Sequence, residues 1–219
     1  PTSSVSKSRV EYDNHYEKAD IVVQFSNLMQ LKGGSVDALL GYEKFNNIYS
    51  AQYDKHSEGG YVGGSAGNSG TGIREVDSLF GEIIFPVTDG LEVNASFRSD
   101  DYSDVGSSES FKFGALVNVL TGTTLKINYG EGFRAPSMDT LYGVTTFSAN
   151  TAYDYKACAQ AGLATTECPS KQISTLIVAN SELGAEESEG VTLSVAHDFG
   201  SWNNRLEGLN ARFDWYNIK

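Results

Sequence analysis

Apolar and polar residues alternate along much of the chain with a period of two. Between residues 91 and 98, for example, Leu, Val, Ala and Phe alternate with Glu, Asn, Ser and Arg. Such alternation is typical of a β-strand whose two faces meet different surroundings. Eight segments follow the pattern, the third less regularly than the others: 21–25, 36–42, 74–85, 91–97, 111–119, 125–129, 191–195 and 209–215. The pattern therefore predicts an all-β chain of about eight strands.

The connections between these segments alternate between short and long. Short turns lie near residues 31–34, 86–90, 120–123 and 199–204, and they carry the Gly, Pro and Asp residues that tight turns require. Longer connections span residues 51–73 and 133–185, and a modest one spans residues 104–109. Long loops are uncommon in compact domains unless they bind something. Short turns at one end and long extracellular loops at the other are typical of an antiparallel transmembrane β-barrel.

A soluble β-sandwich is the main alternative fold, because its strands also alternate apolar and polar residues. Two features of the strands favour the barrel. Charged residues stand at mid-strand on the polar faces: Arg98, Lys112, Lys126, Arg212 and Asp214. Aromatic residues gather towards strand ends: Phe97, Tyr102, Tyr129 and Trp215. Charges in a wet lumen and aromatic girdles at the membrane interfaces explain both features.

Composition narrows the class of protein further. The 219 residues include 23 Gly, 11 Phe, 12 Tyr and only 4 Pro, which suits many short strands and turns. The net charge of −12 argues against a nucleic-acid partner, since phosphates are bound by clustered Lys and Arg. No run of about 18 apolar residues predicts a membrane helix, whereas a barrel strand needs only about 9 to 11 tilted residues. The first residues do not resemble a signal peptide, so we expect either a mature chain or an excerpt.

One glycine-rich segment invites a nucleotide-binding interpretation. Gly130, Gly132 and Ala135 have the spacing of a dinucleotide-binding fingerprint, and Asp154 lies about 20 residues further on. That fingerprint requires a helix opening at its last position and a parallel βαβ unit around it. Pro136 biases Ala135 towards extended backbone, and the neighbouring segments are joined by short antiparallel turns. The nucleotide interpretation is therefore rejected.

The same segment resembles a family signature. Tyr129-Gly-Glu-Gly-Phe-Arg-Ala-Pro-Ser137 is similar to the barrel signature of TonB-dependent receptors, an aromatic residue followed by Gly-x-Gly-Phe-Arg-Ala-Pro. Residues 180–188 resemble that family's Asn-x-x-Leu-x-x-Glu entry to the next strand, and the acidic residues 100–104 are a weaker match. The resemblance rests on Gly130, Gly132, Phe133, Arg134, Ala135, Pro136, Asn180, Leu183 and Glu186.

The resemblance implies a receptor in the outer membrane of a Gram-negative bacterium, with a barrel of 22 strands and a plug in its lumen. It implies import of a scarce large solute, such as a ferric siderophore, a carbohydrate or a peptide, with energy from TonB acting on the plug. We expect this chain to supply about eight strands in contact with membrane lipid and to lack the plug. Two other functions stay open: a passive small barrel or porin, and a soluble β-sandwich binding module.

The long connection 133–185 holds both cysteines of the chain. Cys158 and Cys168 have nine residues between them. In an oxidising compartment we expect them to form a disulfide that staples the loop, and two free thiols are the alternative. A zinc site is not expected, because the three histidines lie far from both cysteines in sequence.

Candidate ligand-binding residues lie on the same connection. Aromatic side chains on long loops offer a large contact area and a polar tip, and an arginine adds charge. The candidates are Arg134, Tyr142, Phe147, Tyr153 and Tyr155. The alternative is that Arg134 pairs with a carboxylate of a neighbouring strand while the tyrosines pack the loop on itself. With no nucleophile beside a base, neither a catalytic residue nor a cofactor is expected, and the chain is not predicted to be an enzyme.

Overall fold

A computed structural model describes residues 7–59, 61 and 69–219, with the backbone alone at residues 146–149. Ten strands are present in the described residues: β1 Val10–Leu31, β2 Gly34–Tyr53, β3 Gly70–Thr88, β4 Leu91–Tyr102, β5 Gly106–Leu120, β6 Thr123–Arg134, β7 Thr146–Tyr153, β8 Ser170–Ile177, β9 Glu186–Asp198 and β10 Asn210–Ile218. Eight of them form one sheet in the order β1-β2-β3-β4-β5-β6-β9-β10. All eight segments predicted from alternation lie within these eight strands, apart from Leu209, which precedes β10, so the predicted fold class is confirmed.

This sheet is open in the described residues, because β1 and β10 lie at its two edges. From β3 onwards, the pairings of neighbouring strands are antiparallel. Strands β6 and β9 pair directly although some fifty residues separate them, and Arg134 stands opposite Glu186 at the end of that ladder. The chain thus forms part of a barrel wall with one long excursion between β6 and β9.

The excursion has its own structure, which the alternation did not predict. Strands β7 and β8 form an antiparallel hairpin, with Tyr153 opposite Ser170. A short helix, α2 Met138–Tyr142, precedes the hairpin, and α3 Tyr155–Gln160 and the 3₁₀ turn Thr165–Glu167 lie between its two strands. A further short helix, α1 Lys55–Glu58, follows β2. Among the described residues, no helix is long and apolar enough to cross a membrane.

Two predicted connections are wrong in length. The modest link expected at residues 104–109 is a three-residue turn, because β4 continues to Tyr102 and β5 already begins at Gly106. Gly106 has a φ of 83°, which a glycine adopts without the steric cost that other residues incur. The short turn expected at residues 199–204 extends over residues 199–209, where Phe199–Ser201 and Asn204–Leu206 form two 3₁₀ turns. The remaining short turns have two residues each, at 32–33, 89–90 and 121–122.

The sheet between β3 and β10 has one polar and one apolar face. The strand register places even-numbered residues on the polar face, among them Ser96, Arg98, Lys112, Lys126, Asn128 and Arg212. The apolar face carries odd-numbered residues, among them Phe97, Phe113, Val117, Ile127, Val195 and Phe213. Most of these apolar side chains are exposed, and few large apolar side chains are buried among the described residues. A β-sandwich would require a second large sheet, but the only other sheet among the described residues has two strands.

The described contacts divide the chain into two compact units. The loop unit comprises Pro1–His15, Asn47–Ile73 and Ser137–Leu183, and the strand unit comprises Tyr16–Asn46, Arg74–Pro136 and Gly184–Lys219. The loop unit contains the hairpin β7–β8 and helices α1, α2 and α3. The loop unit also contains the parts of β1, β2 and β3 that fall within its ranges. The strand unit contains the rest of the large sheet.

Candidate functional site

A buried ion pair holds the end of the glycine-rich segment in the strand unit. The Arg74 Nε atom lies 3.0 and 2.9 Å from the two carboxylate oxygens of Asp104. The Nη2 atom of Arg74 donates to the carbonyl oxygen of Pro136 at 2.8 Å. The side chains are only 10% and 5% exposed. A buried charge pair of this kind is tolerated because its hydrogen bonds are satisfied.

One aromatic ring, that of Tyr102, lies beside this ion pair and contacts the ring of Phe133. The rings of Tyr102 and Phe133 lie 5.4 Å apart, centroid to centroid. The guanidinium carbon of Arg74 lies 5.7 Å from the Tyr102 centroid, within the range of a cation–π contact. Phe133 of the signature therefore contacts Tyr102 at the end of β4, and Pro136 accepts a hydrogen bond from Arg74 in β3. Sequence reasoning missed Tyr102 and Arg74 as their partners.

The glycines of the signature allow neighbouring side chains to approach the backbone of β6. A Cβ atom at Gly132 would stand 2.6 Å from the Oγ atom of Ser188 on β9. A Cβ atom at Gly130 would stand 3.2 Å from the Cγ atom of Lys112 on β5. Both contacts are tighter than ordinary van der Waals distance, so the signature glycines serve strand packing.

Arg134 is the one predicted ligand-binding residue in the strand unit. Its Nη1 atom lies 3.4 Å from the Oε2 atom of Glu186, and both side chains are exposed, at 76% and 74%. Arg134 thus has the neighbouring-strand carboxylate partner that was the alternative to ligand binding. An ion pair this exposed adds little stability and leaves both groups accessible.

The second signature segment folds into a local turn in the loop unit. Asn180 accepts a hydrogen bond from the backbone N–H of Glu182 through its side chain, at 3.0 Å. Its own N–H donates to the carbonyl of Thr140 in α2, at 2.9 Å. The backbone N–H of Leu183 donates to the Asn180 carbonyl at 3.2 Å. Asn180 therefore connects the approach to β9 with helix α2.

The predicted aromatic residues of the loop unit fall into two groups. Tyr153 and Tyr155 stack on each other with centroids 5.7 Å apart and ring planes 11° from parallel. Their exposed fractions are 52% and 54%. Tyr142 is half-buried at the end of α2, where its ring fills the space that a side chain at Gly72 would need. The backbone of Phe147 lies in β7, but its side chain lies outside the described part of the structure.

A disulfide and a helix cap hold the stacked tyrosines. Cys158 and Cys168 are joined by a disulfide, which closes a ring around the end of α3 and the following 3₁₀ turn. The Asp154 carboxylate, between the two tyrosines, accepts the N–H of Ala157 at 2.9 Å and caps α3. The pair therefore presents two aromatic faces and two hydroxyl groups from a short, cross-linked segment.

A second pair of tyrosines in the loop unit shares a hydrogen bond. The hydroxyls of Tyr12 and Tyr53 share a hydrogen bond of 2.7 Å, which raises the pKa of Tyr53 to about 12. Next to it, Asp54 accepts the N–H of Arg9 at 2.8 Å and caps α1 through His56 and Ser57. These hydrogen bonds, that to Arg9 first, hold the pKa of Asp54 well below its usual range. No local sequence signal joins Tyr12 to Tyr53, because 41 positions separate them.

No metal site is found among the described residues. No group of three or more His, Cys, Asp or Glu residues within the described ranges could hold a metal ion. His197 lies 2.8 Å from the Thr123 hydroxyl, and its ring packs against Phe199 and Trp202. These contacts account for His197 as a residue that packs between neighbouring side chains.

Comparison with known proteins points to one family. The family model described as "TonB dependent receptor-like, beta-barrel" matches residues 2–219. A search of curated proteins found no match. The chain is similar in structure to the ferric enterobactin receptor PfeA of Pseudomonas aeruginosa, with a TM-score of 0.68, 18% identity, and coverage of 94% of this chain and 27% of that chain.

Two further solved structures are similar. The siderophore receptor PirA of Pseudomonas aeruginosa matches with a TM-score of 0.62 and 16% identity, over 96% of this chain and 32% of that chain. The RagAB peptide transporter matches with a TM-score of 0.58 and 15% identity, over 96% of this chain and 24% of that chain. At these identities the likeness concerns the fold alone, and the chain spans between a quarter and a third of the length of these proteins.

Proposed function

The chain belongs to the TonB-dependent receptor-like β-barrel family, and on that premise we propose that it forms part of the wall of an outer-membrane receptor in a Gram-negative bacterium. The receptor would bind a scarce large solute outside the cell and import it with energy supplied through TonB. TonB would act on a plug domain, which is not among the residues of this chain that the structure describes.

The two-faced sheet is the observation that carries this proposal. An exposed row of Phe, Val and Ile on one face suits contact with lipid, and the opposite row of charged and amide side chains suits a wet lumen. A passive porin would share this property. The match of the family model to residues 2–219 favours the TonB-dependent receptor over the porin.

For the solute we propose a ferric siderophore, with the stacked pair Tyr153 and Tyr155 as a contact. The structures of PfeA and PirA, whose titles name a ferric enterobactin receptor and a siderophore receptor, support this choice. The two exposed rings offer apolar area and hydroxyl groups at low entropic cost, because the disulfide and the helix cap already order the segment. No bond of the solute would be made or broken. A peptide is the second candidate, since the structure of the RagAB peptide transporter is also similar.

Uptake by intact cells tests the proposal. A strain lacking the gene of the full receptor is complemented with the wild type, with a Tyr153→Ala, Tyr155→Ala double variant, or with a Tyr61→Ala control at another exposed tyrosine of the loop unit. We expect the wild type and the control to restore uptake of radioactive iron from a panel of ferric siderophores, and the double variant to restore less. Removal of TonB should abolish the restored uptake.

Two results would contradict the proposal. Uptake that persists without TonB would point to a passive barrel. A deletion strain that takes up every ferric siderophore at the wild-type rate would remove the siderophore from consideration, and labelled peptides would be tried next.

A further inference from the structure

Four cationic side chains stand at mid-strand on the polar face of the strand unit, and only two of them have an acidic partner. Arg98 lies 3.1 Å from a carboxylate oxygen of Glu43 and 2.8 Å from one of Asp100. Arg212 lies 2.8 Å from Asp214. Lys112 and Lys126, by contrast, form no ion pair with any residue in the part of the chain that the structure describes.

The two unpaired lysines line the same cleft. It has a volume of about 440 Å³. The polar residues that line it include Glu82, Asn94, Lys112, Lys126, Asn128 and Thr192, and we call it the lysine cleft. The strand register brings these side chains together. Asn128 lies opposite Gly114 on β5 and Thr192 on β9, and Lys112 lies opposite Ser96 on β4 and Gly130 on β6. Five neighbouring strands thus contribute side chains to one site.

Glycines create the space in this cleft. A Cβ atom at Gly114 would collide with the Oδ1 atom of Asn94 and would stand 3.0 Å from the Oδ1 atom of Asn128. A Cβ atom at Gly130 would press on the stem of Lys112, at 3.2 Å. Gly190 also lines the cleft, next to Gly130 on the neighbouring strand. Larger residues at these positions would fill the cleft or move the lysine.

The charge of the lysine cleft is opposite to that of the whole chain. Two lysines face one carboxylate, that of Glu82, so the cleft is cationic, whereas the chain carries a net charge of −12. A lysine ammonium on a flexible stem binds a carboxylate or phosphate as a point charge, and a lumen with low-dielectric walls strengthens that attraction. Asn128 is already oriented, because its Nδ2 atom donates to the Thr192 hydroxyl at 3.0 Å.

We propose that the lysine cleft is an anion-binding subsite on the lumen wall, which takes a carboxylate group of a small polyanionic solute between Lys112 and Lys126. The placement in a lumen rests on the proposed function. Direct binding of an anion can be measured without uptake. A failure of the anion subsite can therefore be distinguished from a failure of the proposed import function.

Equilibrium dialysis of radiolabelled citrate with the purified full-length receptor, at neutral pH and low salt, tests the subsite. Citrate supplies several carboxylates on a small frame. The variants are Lys112→Gln with Lys126→Gln, both single variants, and Lys112→Arg, which keeps the charge. Lys32→Gln, in the exposed turn after β1, makes the same charge change away from the cleft. Gly130→Val fills the cleft without changing any charge. Folding of each variant is verified by its heat-dependent mobility on gels.

We expect saturable citrate binding to the wild type, weakened roughly tenfold by each Lys→Gln substitution. Gly130→Val should weaken binding, Lys112→Arg should weaken it less than Lys112→Gln does, Lys32→Gln should leave it nearly unchanged, and added salt should reduce it. Two results would overturn the proposal: absence of saturable binding to the wild type, or binding that the double variant retains. Inorganic phosphate as a competitor shows whether the subsite selects carboxylates or accepts either anion.

Discussion

The Arg74 guanidinium donates a hydrogen bond to the carbonyl oxygen of Pro136, over an Nη2–O distance of 2.8 Å. Pro136 is the last residue of the signature before the chain continues into helix α2. The same guanidinium is paired with Asp104 in the turn between β4 and β5. One arginine therefore connects β3, that turn and the end of the signature. The hydrogen bond to Pro136 gives this part of the signature a structural role.

Removal of this arginine should destabilise the receptor far more than removal of the signature's own arginine. Arg74→Ala removes the cation paired with the buried Asp104 carboxylate and the donor to the Pro136 carbonyl, at a cost of about 3 to 5 kcal/mol. Arg134→Ala breaks an exposed pair and should cost at most about 1 kcal/mol. Urea unfolding of the full receptor in detergent measures both free energies. Equal losses of unfolding free energy in the two variants would show that the buried pair stabilises the receptor no more than the exposed pair does.

Loss of the disulfide should loosen the segment that bears the stacked tyrosines. The two cysteines are 10 positions apart, and a bridge around so small a ring contributes about 2 to 3 kcal/mol. We expect the double variant Cys158→Ser, Cys168→Ser to be cleaved faster by trypsin at Lys156 and Lys171. Mass spectrometry of the peptides measures the cleavage rates. Reductant should have the same effect on the wild type and none on the double variant. Unchanged cleavage rates would mean that the hairpin and α3 hold the segment without the bridge.

Substitutions to arginine on the apolar face should destabilise the folded receptor. Val117, Ile127 and Phe213 share the odd-numbered face of β5, β6 and β10. A substitution to Arg at each should cost about 2 to 4 kcal/mol near the bilayer midplane, since a charge there loses its hydration. Thr124→Arg on the even-numbered face is the matched control and should cost much less. Effects near zero at all three apolar positions, measured by unfolding from lipid vesicles, would indicate that this face does not contact lipid.

The Tyr53 phenol should titrate about two pH units above an ordinary tyrosine. Its hydrogen bond with Tyr12 favours the neutral form and raises its pKa to about 12, from an unfolded value of about 10. A raised pKa contributes stability that is complete below pH 10 and is lost as the pH rises from about 10 to 12. NMR of tyrosine labelled with carbon-13 follows the titration, and Tyr12→Phe should bring the Tyr53 midpoint towards 10. A wild-type midpoint near 10 would contradict the shared hydrogen bond.

The strands were predictable because alternation is a local property of the sequence. In segment 111–119 every apolar residue except Leu116 lies on the same face, and the structure places the segment inside β5. The turn of residues 103–105 was not predictable in the same way, since its length depends on the left-handed φ of Gly106. The hairpin β7–β8 escaped notice because Ser170–Ile177 carries few apolar residues and no clear alternation.

The site was predictable only in part. The cysteines and the exposed tyrosines of the loop unit were found because their types and their loop position are readable from the sequence. The partners of the signature were not, because Arg74 lies 30 positions from Asp104 and 62 from Pro136. Arg98 and Arg212 each have an aspartate two residues further along the same strand, whereas Lys112 and Lys126 do not. This local signal was readable from the sequence, but the pairing of Arg98 with Glu43 was not, because 55 positions separate them.

Spin labels at two adjacent residues test most directly whether the chain is the wall of an outer-membrane barrel. Ile127→Cys places the label on the apolar face of β6, and Asn128→Cys places it on the polar face. In the full receptor reconstituted in outer-membrane lipid, the label at 127 should collide often with dissolved oxygen and rarely with a water-soluble nickel chelate. The label at 128 should show low oxygen accessibility. Equal accessibility at the two positions, or the reverse order, would contradict the account.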